Sequence, residues 1–254
     1  METTNNYLKV PKPKNRIMRL KQYKDKLKGH PLSIVGIYSP DGEKGGQIFS
    51  LSQDGCLRAW NVYERRKLNK LYLKRGMDKD IDSKEASQSQ VGDRQAFDPL
   101  DVIESCMFNK STVFCGYSDG SIYAWNMNKG NLIYQFPGHE DKVSAMEWLD
   151  PNSFASCSYD QTIVFWDTQN GSALSIIKLE HEINAMSKEG DTLFAISNYN
   201  QLNLISTKTS EIFRTVLFAD SNLNTVHATP EDVIFADSTG RAFVVNRVAL
   251  EVHI

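Results

Sequence analysis

The chain has 254 residues, is 41% hydrophobic and 24% charged, and carries a formal net charge of −2, so it can bury a substantial core without a disulfide framework. No apolar run approaches the roughly 18 residues of a membrane span, and the start METTNNYLKVPKPK lacks the apolar centre of a secretory signal, so the chain is expected inside the cell, in cytoplasm or nucleus. Cys56, Cys106, Cys115 and Cys157 stand singly in apolar stretches without C-x-x-C spacing, which predicts buried reduced thiols and neither a metal site nor a disulfide lattice.

The first element in chain order is a basic lead. Residues 1–28 hold nine Lys or Arg against Glu2 and Asp25, leaving −9 for the remainder. Within it, RIMRLKQY at 16–23 reads as an extra strand candidate. A solvated tail running into a strand is the plain reading. The alternatives are contact with the acidic surface of a protein partner, and contact with phosphate backbones of RNA or DNA through residues 9–28, each held by a screened, salt-dependent attraction.

Beyond the lead, one ending recurs. SQDGCLRAWN, YSDGSIYAWN and SYDQTIVFWD each place an acidic turn residue six positions before a Trp: Asp54 and Trp60, Asp119 and Trp125, Asp160 and Trp166. Two weaker copies follow, with Asn200 and Ser206 in SNYNQLNLIS, and Thr239 and Val245 in DSTGRAFVVN, at the acid and Trp places. Successive Trp-equivalents lie 65, 41, 40 and 39 residues apart, a period near 40.

The long first interval places an insertion at about 76–99, polar and poor in β-branched and aromatic residues, which predicts a loop. Its Asp78, Asp80 and Asp82 fall at positions 1, 3 and 5 of a calcium-loop pattern. Ser83 stands where that pattern wants Gly and Ser89 where it wants Glu, so calcium is not expected.

Within one period, KVSAMEW, SFASCS, TIVFWD and ALSIIKL each read as a short strand, separated by the turn chemistry of LDPN, YDQ and TQNG. No segment is periodic enough at 3.6 residues to predict a helix, so the fold class is all-β. Four-stranded antiparallel units at this period bury both faces only when stacked on one another, as in a propeller. The outer strands are expected at KLNKLYL, NLIYQF, ALSIIKL, EIFRTVL and VALEVHI, giving about five units over 29–254, an incomplete or unusually small array.

With Gly138-His139 opening the third unit, Asp160 in its turn and Trp166-Asp167 closing it, the sequence resembles the WD40-repeat family. The resemblance implies a β-propeller and, in each blade, a hydrogen-bonded tetrad of His, Ser, Asp and Trp. Carried over by position, the tetrads are His139, Ser156, Asp160 and Trp166, and His30, Ser50, Asp54 and Trp60. The second unit has Cys115 at the Ser place and Pro99 near the His place, so its tetrad is expected to be partial.

A His, a Ser and an Asp in one unit also invite a catalytic-triad reading. Recurrence at the same offsets argues for a structural tie instead, because a buried, satisfied network fixes a loop to a sheet. No Gly-rich phosphate loop, H-E-x-x-H or G-x-S-x-G occurs. A non-enzymatic scaffold in a multiprotein complex is therefore expected, with protein partners and without cofactor, metal or small-molecule substrate. By resemblance, its partner-binding candidates are Gln53, Ser118, Tyr159 and Tyr199 beside the turn acids, with Asp141 and Lys142 at the start of an innermost strand. Tyr63, Asn128 and Gln169 fill the positions where the family's ubiquitin-ligase adaptors carry a basic residue, which removes support for that role.

Overall fold

The computed structural model describes residues 30–40, 46–64, 66–73, 102–218 and 223–251. The basic lead, its strand candidate 16–23, residues 9–28 and the insertion 76–99 lie outside the described residues.

Alternating apolar residues between turn signals fold into five antiparallel sheets. The first runs β1 (Ile34–Tyr38), β2 (Gln47–Ser52), β3 (Cys56–Asn61), β4 (Arg66–Tyr72), and the second β5 (Ile103–Asn109), β6 (Thr112–Tyr117), β7 (Ile122–Asn126), β8 (Leu132–Phe136). The third comprises β9 (Val143–Asp150), β10 (Ser153–Ser158), β11 (Thr162–Asp167), β12 (Ala173–Lys178), and the fourth β13 (Ile183–Glu189), β14 (Thr192–Ser197), β15 (Gln201–Ser206), β16 (Glu211–Leu217). The fifth has β17 (Leu223–Ala228), β18 (Asp232–Asp237) and β19 (Ala242–Asn246), followed by helix α1 (Arg247–Glu251). Each sheet is ordered as the chain runs, so every connection is a hairpin.

Period-two alternation gives each inner strand two apolar faces, one for each neighbouring sheet. Phe49, Leu51 and Leu57 of the first sheet meet Val113, Cys115 and Trp125 of the second. Phe114 and Phe136 meet Phe154 and Trp166, Phe165 meets Leu193, and Phe194 and Leu204 meet Val233 and Phe235. Four apolar cores therefore lie between five sheets, and the sheets pack through their innermost strands in the order β1, β5, β9, β13, β17. Among the described residues, no comparable packing joins β17 back to β1.

Polar ties accompany the apolar junctions at the innermost strands. Ser105 Oγ donates to Val143 O at 2.7 Å, Ser144 Oγ to Ile183 O, and Asn184 Nδ2 to Leu223 O at 3.3 Å.

Two expectations change. Residues 248–251 of VALEVHI are not an outer strand: they belong to α1, and the fifth sheet has three strands among the described residues. The Asn246 side chain accepts from the Val248 N–H at 3.1 Å and caps the turn. Leu250 then enters the core of the fourth and fifth sheets, while Arg214 Nη1 donates to Leu250 O at 2.6 Å. A short apolar run such as VAL reads alike for strand and helix, and the cap and this packing decide between them.

The second change is a register of one residue. Cys157 pairs Ile163 in the third sheet and Ile196 pairs Leu202 in the fourth, which aligns Ile205 with Trp166 and Tyr199 with Asp160. The expected assignment of Asn200 and Ser206 is therefore shifted by one, and Asn198 stands where Tyr159 stands. Positive φ at both Gln161 (72°) and Asn200 (63°) marks the same turn position.

Candidate functional site

The third unit carries the fullest polar network. The Trp166 indole N–H donates to Ser156 Oγ at 2.7 Å, and Ser156 Oγ lies 2.6 Å from His139 Nε2. His139 Nδ1 lies 2.9 Å from Asp160 Oδ2 and 2.9 Å from Thr162 Oγ1. With Ser156 accepting from Trp166, its own proton goes to His139 Nε2, and the neutral imidazole carries its proton on Nδ1 toward Asp160. Asp160 also accepts from the Glu140 N–H at 3.0 Å and the Thr162 N–H at 2.8 Å, pinning the strand's lead-in to the turn.

Burial holds the His139 imidazole below its ordinary value despite the Asp160 carboxylate beside it. Burial alone would raise Asp160; hydrogen bonds from Thr162 and Glu140 outweigh it and leave the carboxyl below the usual range. Ser156, His139 and Asp160 are thus in the order of a nucleophile, base and orienting acid. Yet Ser156 is fully buried, and the Trp166 N–H occupies its oxygen. No substrate reaches that hydroxyl in this arrangement.

The first unit repeats part of the network: His30 Nε2 lies 2.7 Å from Ser50 Oγ, which accepts from the Trp60 N–H at 2.8 Å. Asp54 Oδ1 instead accepts from the Cys56 N–H at 3.0 Å, and His30 Nδ1 is buried with no hydrogen-bond partner. Potential ligand atoms of His30, Asp54 and Cys56 lie within 4.8 Å of one another. They occupy the places of His139, Asp160 and Thr162, so the clustering follows from the tetrad layout. In the second unit, Cys115 replaces the serine and the Trp125 indole N–H is buried with no partner.

The glycine before His139 has a steric reason that spacing alone did not reveal. A Cβ on Gly138 would lie 2.4 Å from Gly120 O, and Gly120 itself has φ +86° in the preceding unit's turn. The His139 N–H donates to Gly120 O at 2.8 Å, so the second unit's turn seats directly on the third unit's lead-in.

At the same end of the sheets lie the partner-binding candidates. The backbone N–H groups of Gln53, Ser118, Tyr159 and Asn198 donate to Ser33 O, Val102 O, Lys142 O and Glu182 O, at 2.8–3.2 Å. These four are therefore equivalent rim positions, and Tyr199 is not one of them. Lys142 Nζ sits 3.6 Å from the centre of the Tyr159 ring, with exposed Asp141 next to it. Tyr199 is 75% exposed and its ring contacts His181 at 4.6 Å. Lys142 and Tyr159 are thus brought together, whereas Gln53 and Ser118 belong to the rims of other sheets. Asn198 is a rim residue the sequence did not single out; aligning Ser197 with Ser158 would have found it.

Antiparallel sheets of one hairpin pattern, four of them four-stranded and one three-stranded among the described residues, stacked through their innermost strands, define a β-propeller architecture. Residues 130–167 match the family model for "WD domain, G-beta repeat". Apoptotic protease-activating factor 1 of Mus musculus is 27% identical over 209 residues, covering 69% of this chain and 16% of that protein, and the same figures hold for the Rattus norvegicus protein. The chain spans about 16% of the length of these curated relatives. Among solved structures, the computationally designed Ika8 protein has a TM-score of 0.63 at 20% identity, covering 86% of this chain and 59% of its own. The designed Ika4 protein has a TM-score of 0.52 at 22% identity, covering 62% and 95%. Both are likenesses of fold.

Proposed function

We propose that the chain is a non-enzymatic WD40 scaffold that binds protein partners within a multiprotein complex, through the rim that carries Lys142 and Tyr159. The carrying observation is the division of labour in the third unit. Its reactive-looking groups, Ser156 and His139, are buried and committed to one another, while Asp141, Lys142 and Tyr159 present charge and an aromatic face at the sheet end. Tyrosine at such a rim buries a large ring while its hydroxyl finds a partner, at small cost in side-chain freedom. WD40 repeats are typically protein-interaction modules, which supports the reading. Free Cys56, Cys106, Cys115 and Cys157 fit a reducing intracellular compartment. Among the described residues, no helix is long and apolar enough to cross a membrane.

Parallel affinity capture tests this reading, using the native chain, a Lys142→Ala/Tyr159→Ala variant and an outer-strand control, Leu174→Ala. Chains that co-purify with the native protein and the control, and are lost from the rim variant, are the expected result. Capture that is identical for all three overturns the rim assignment.

A further inference from the structure

The first and fifth sheets each end the array with a face built like an interior face. Pairing register makes the comparison position by position. Ile34 pairs Ser52 as Ile103 pairs Tyr117, Val143 pairs Ser158, Ile183 pairs Ser197 and Leu223 pairs Asp237. The last four innermost-strand residues are at most 1% exposed, because the preceding sheet covers them; Ile34 is 53% exposed. Ile37 is 65% exposed where Met146, Met186 and Val226 are buried.

The opposite face of the fifth sheet shows the complementary pattern. Ile234 is 37% exposed where Phe49, Phe114, Ala155 and Phe194 are buried. Val244, its cross-strand partner, is 59% exposed where Ala59, Ala124, Phe165 and Leu204 are buried. The inter-sheet polar tie recurs as well. Ser144 follows Val143 and donates to Ile183 O, Asn184 follows Ile183 and donates to Leu223 O, and Asn224 follows Leu223 and is exposed.

We propose that the fifth sheet of one copy docks on the first sheet of a second copy, head to tail, so that the junction repeats the four junctions within the chain. Ile234 and Val244 then cover Ile34 and Ile37, and the Asn224 amide donates to the Ile34 carbonyl of the second copy. The repeat itself identifies the occupant. A face of the forward type is matched four times in this molecule by a face of the backward type, and among the described residues one face of each type has no neighbouring sheet. Two uncovered faces also make each copy an aggregation hazard when alone, which closure by a second copy removes. Such a contact is heterologous: it closes into a ring of two copies where the curvature allows, and otherwise extends to longer assemblies.

Light scattering coupled to size separation, on the full 254-residue chain from roughly 1 to 100 µM, tests the proposal. The native chain is expected to run as two or more copies. Ile34→Asp and Val244→Asp each place a charge in the junction and are expected to weaken it by about 100-fold, leaving monomers. Ile176→Asp, exposed on the outer strand β12 and away from both faces, is expected to leave assembly unchanged. Mixing the two junction variants is the decisive arm, because one intact junction then remains and a heterodimer forms. A native chain that is monomeric throughout overturns the proposal. So does an assembly that both junction variants retain, or a mixture that stays monomeric. If the chain assembles only after residues 1–29 are deleted, its own leading segment covers the first sheet, and the proposal is likewise overturned.

Discussion

The Ser156 hydroxyl and the His139 ring lie 2.6 Å apart, both shut away from solvent, with the serine oxygen also holding the Trp166 indole N–H. Removing the hydroxyl leaves two buried polar groups without their shared partner. Ser156→Ala is expected to destabilise the fold by about 3 kcal/mol, from the cost of orphaned buried donors and acceptors. Urea unfolding checks it; a loss within about 0.5 kcal/mol, typical of an unconstrained surface site, would contradict the structural role given to the network.

Trp125 and Trp166 make a paired comparison, since they occupy the same register position and only Trp166 has an acceptor for its N–H. Trp→Phe removes similar volume at both sites. At Trp166 it also breaks a hydrogen bond and strips Ser156 of a donor, while at Trp125 it deletes an unpaired buried donor. Trp166→Phe should therefore cost about 1–2 kcal/mol more than Trp125→Phe. Equal losses would show that the indole hydrogen bond contributes nothing.

Backbone contact between the second and third sheets gives a steric prediction. Gly138→Ala drives a Cβ to 2.4 Å from Gly120 O, and Gly120→Ala brings one to 2.1 Å from His139 O at an unfavourable positive φ. Each change is expected to cost about 2 kcal/mol or more, with amide exchange accelerating first around 119–121 and 138–140. Native-like protection there in both variants would refute the proposed fit.

Acid should weaken the third unit in two stages. Burial depresses His139, so the unfolded state binds the proton more readily, and stability falls as pH drops below the ordinary His value of about 6.5 toward the depressed native one. Asp160 is depressed too, so its contribution is present above the ordinary carboxylate value and is lost only as pH falls through the lower native one. His139→Gln should flatten the loss of urea midpoint between pH 7.5 and 5.5. An unchanged slope in that variant would mean that His139 does not carry the effect.

Much of the fold was legible because the repeat was written twice, in the period and in the Asp-to-Trp spacing. SFASCS and TIVFWD coincide with β10 and β11, and EIFRTVL with β16. The fourth unit misled by one residue, since it lacks both Trp and turn acid and leaves only Ser197 to fix register. The last segment misled because VALEVHI alternates like a strand, while its fate depends on the Asn246 cap and on where Leu250 can bury. The requirement for Gly138 was invisible for a different reason: it comes from Gly120, one repeat earlier. The rim pair Lys142 and Tyr159 was named residue by residue, but their stacking needed the turn geometry.

Surface placement sets what rim substitutions should do to folding. Lys142 over the Tyr159 ring contributes about 0.5–1 kcal/mol at a partly exposed site, so Tyr159→Ala should unfold within about 1 kcal/mol of the native chain. Larger destabilisation would make Tyr159 a packing residue.

The most direct test of the scaffold account is the affinity of a captured partner for the native chain, for Tyr159→Ala and for Lys142→Ala, measured by calorimetry with folding checked in parallel. The account predicts at least one rim variant that stays folded and binds about tenfold more weakly or worse. Affinity unchanged in both folded variants would contradict it.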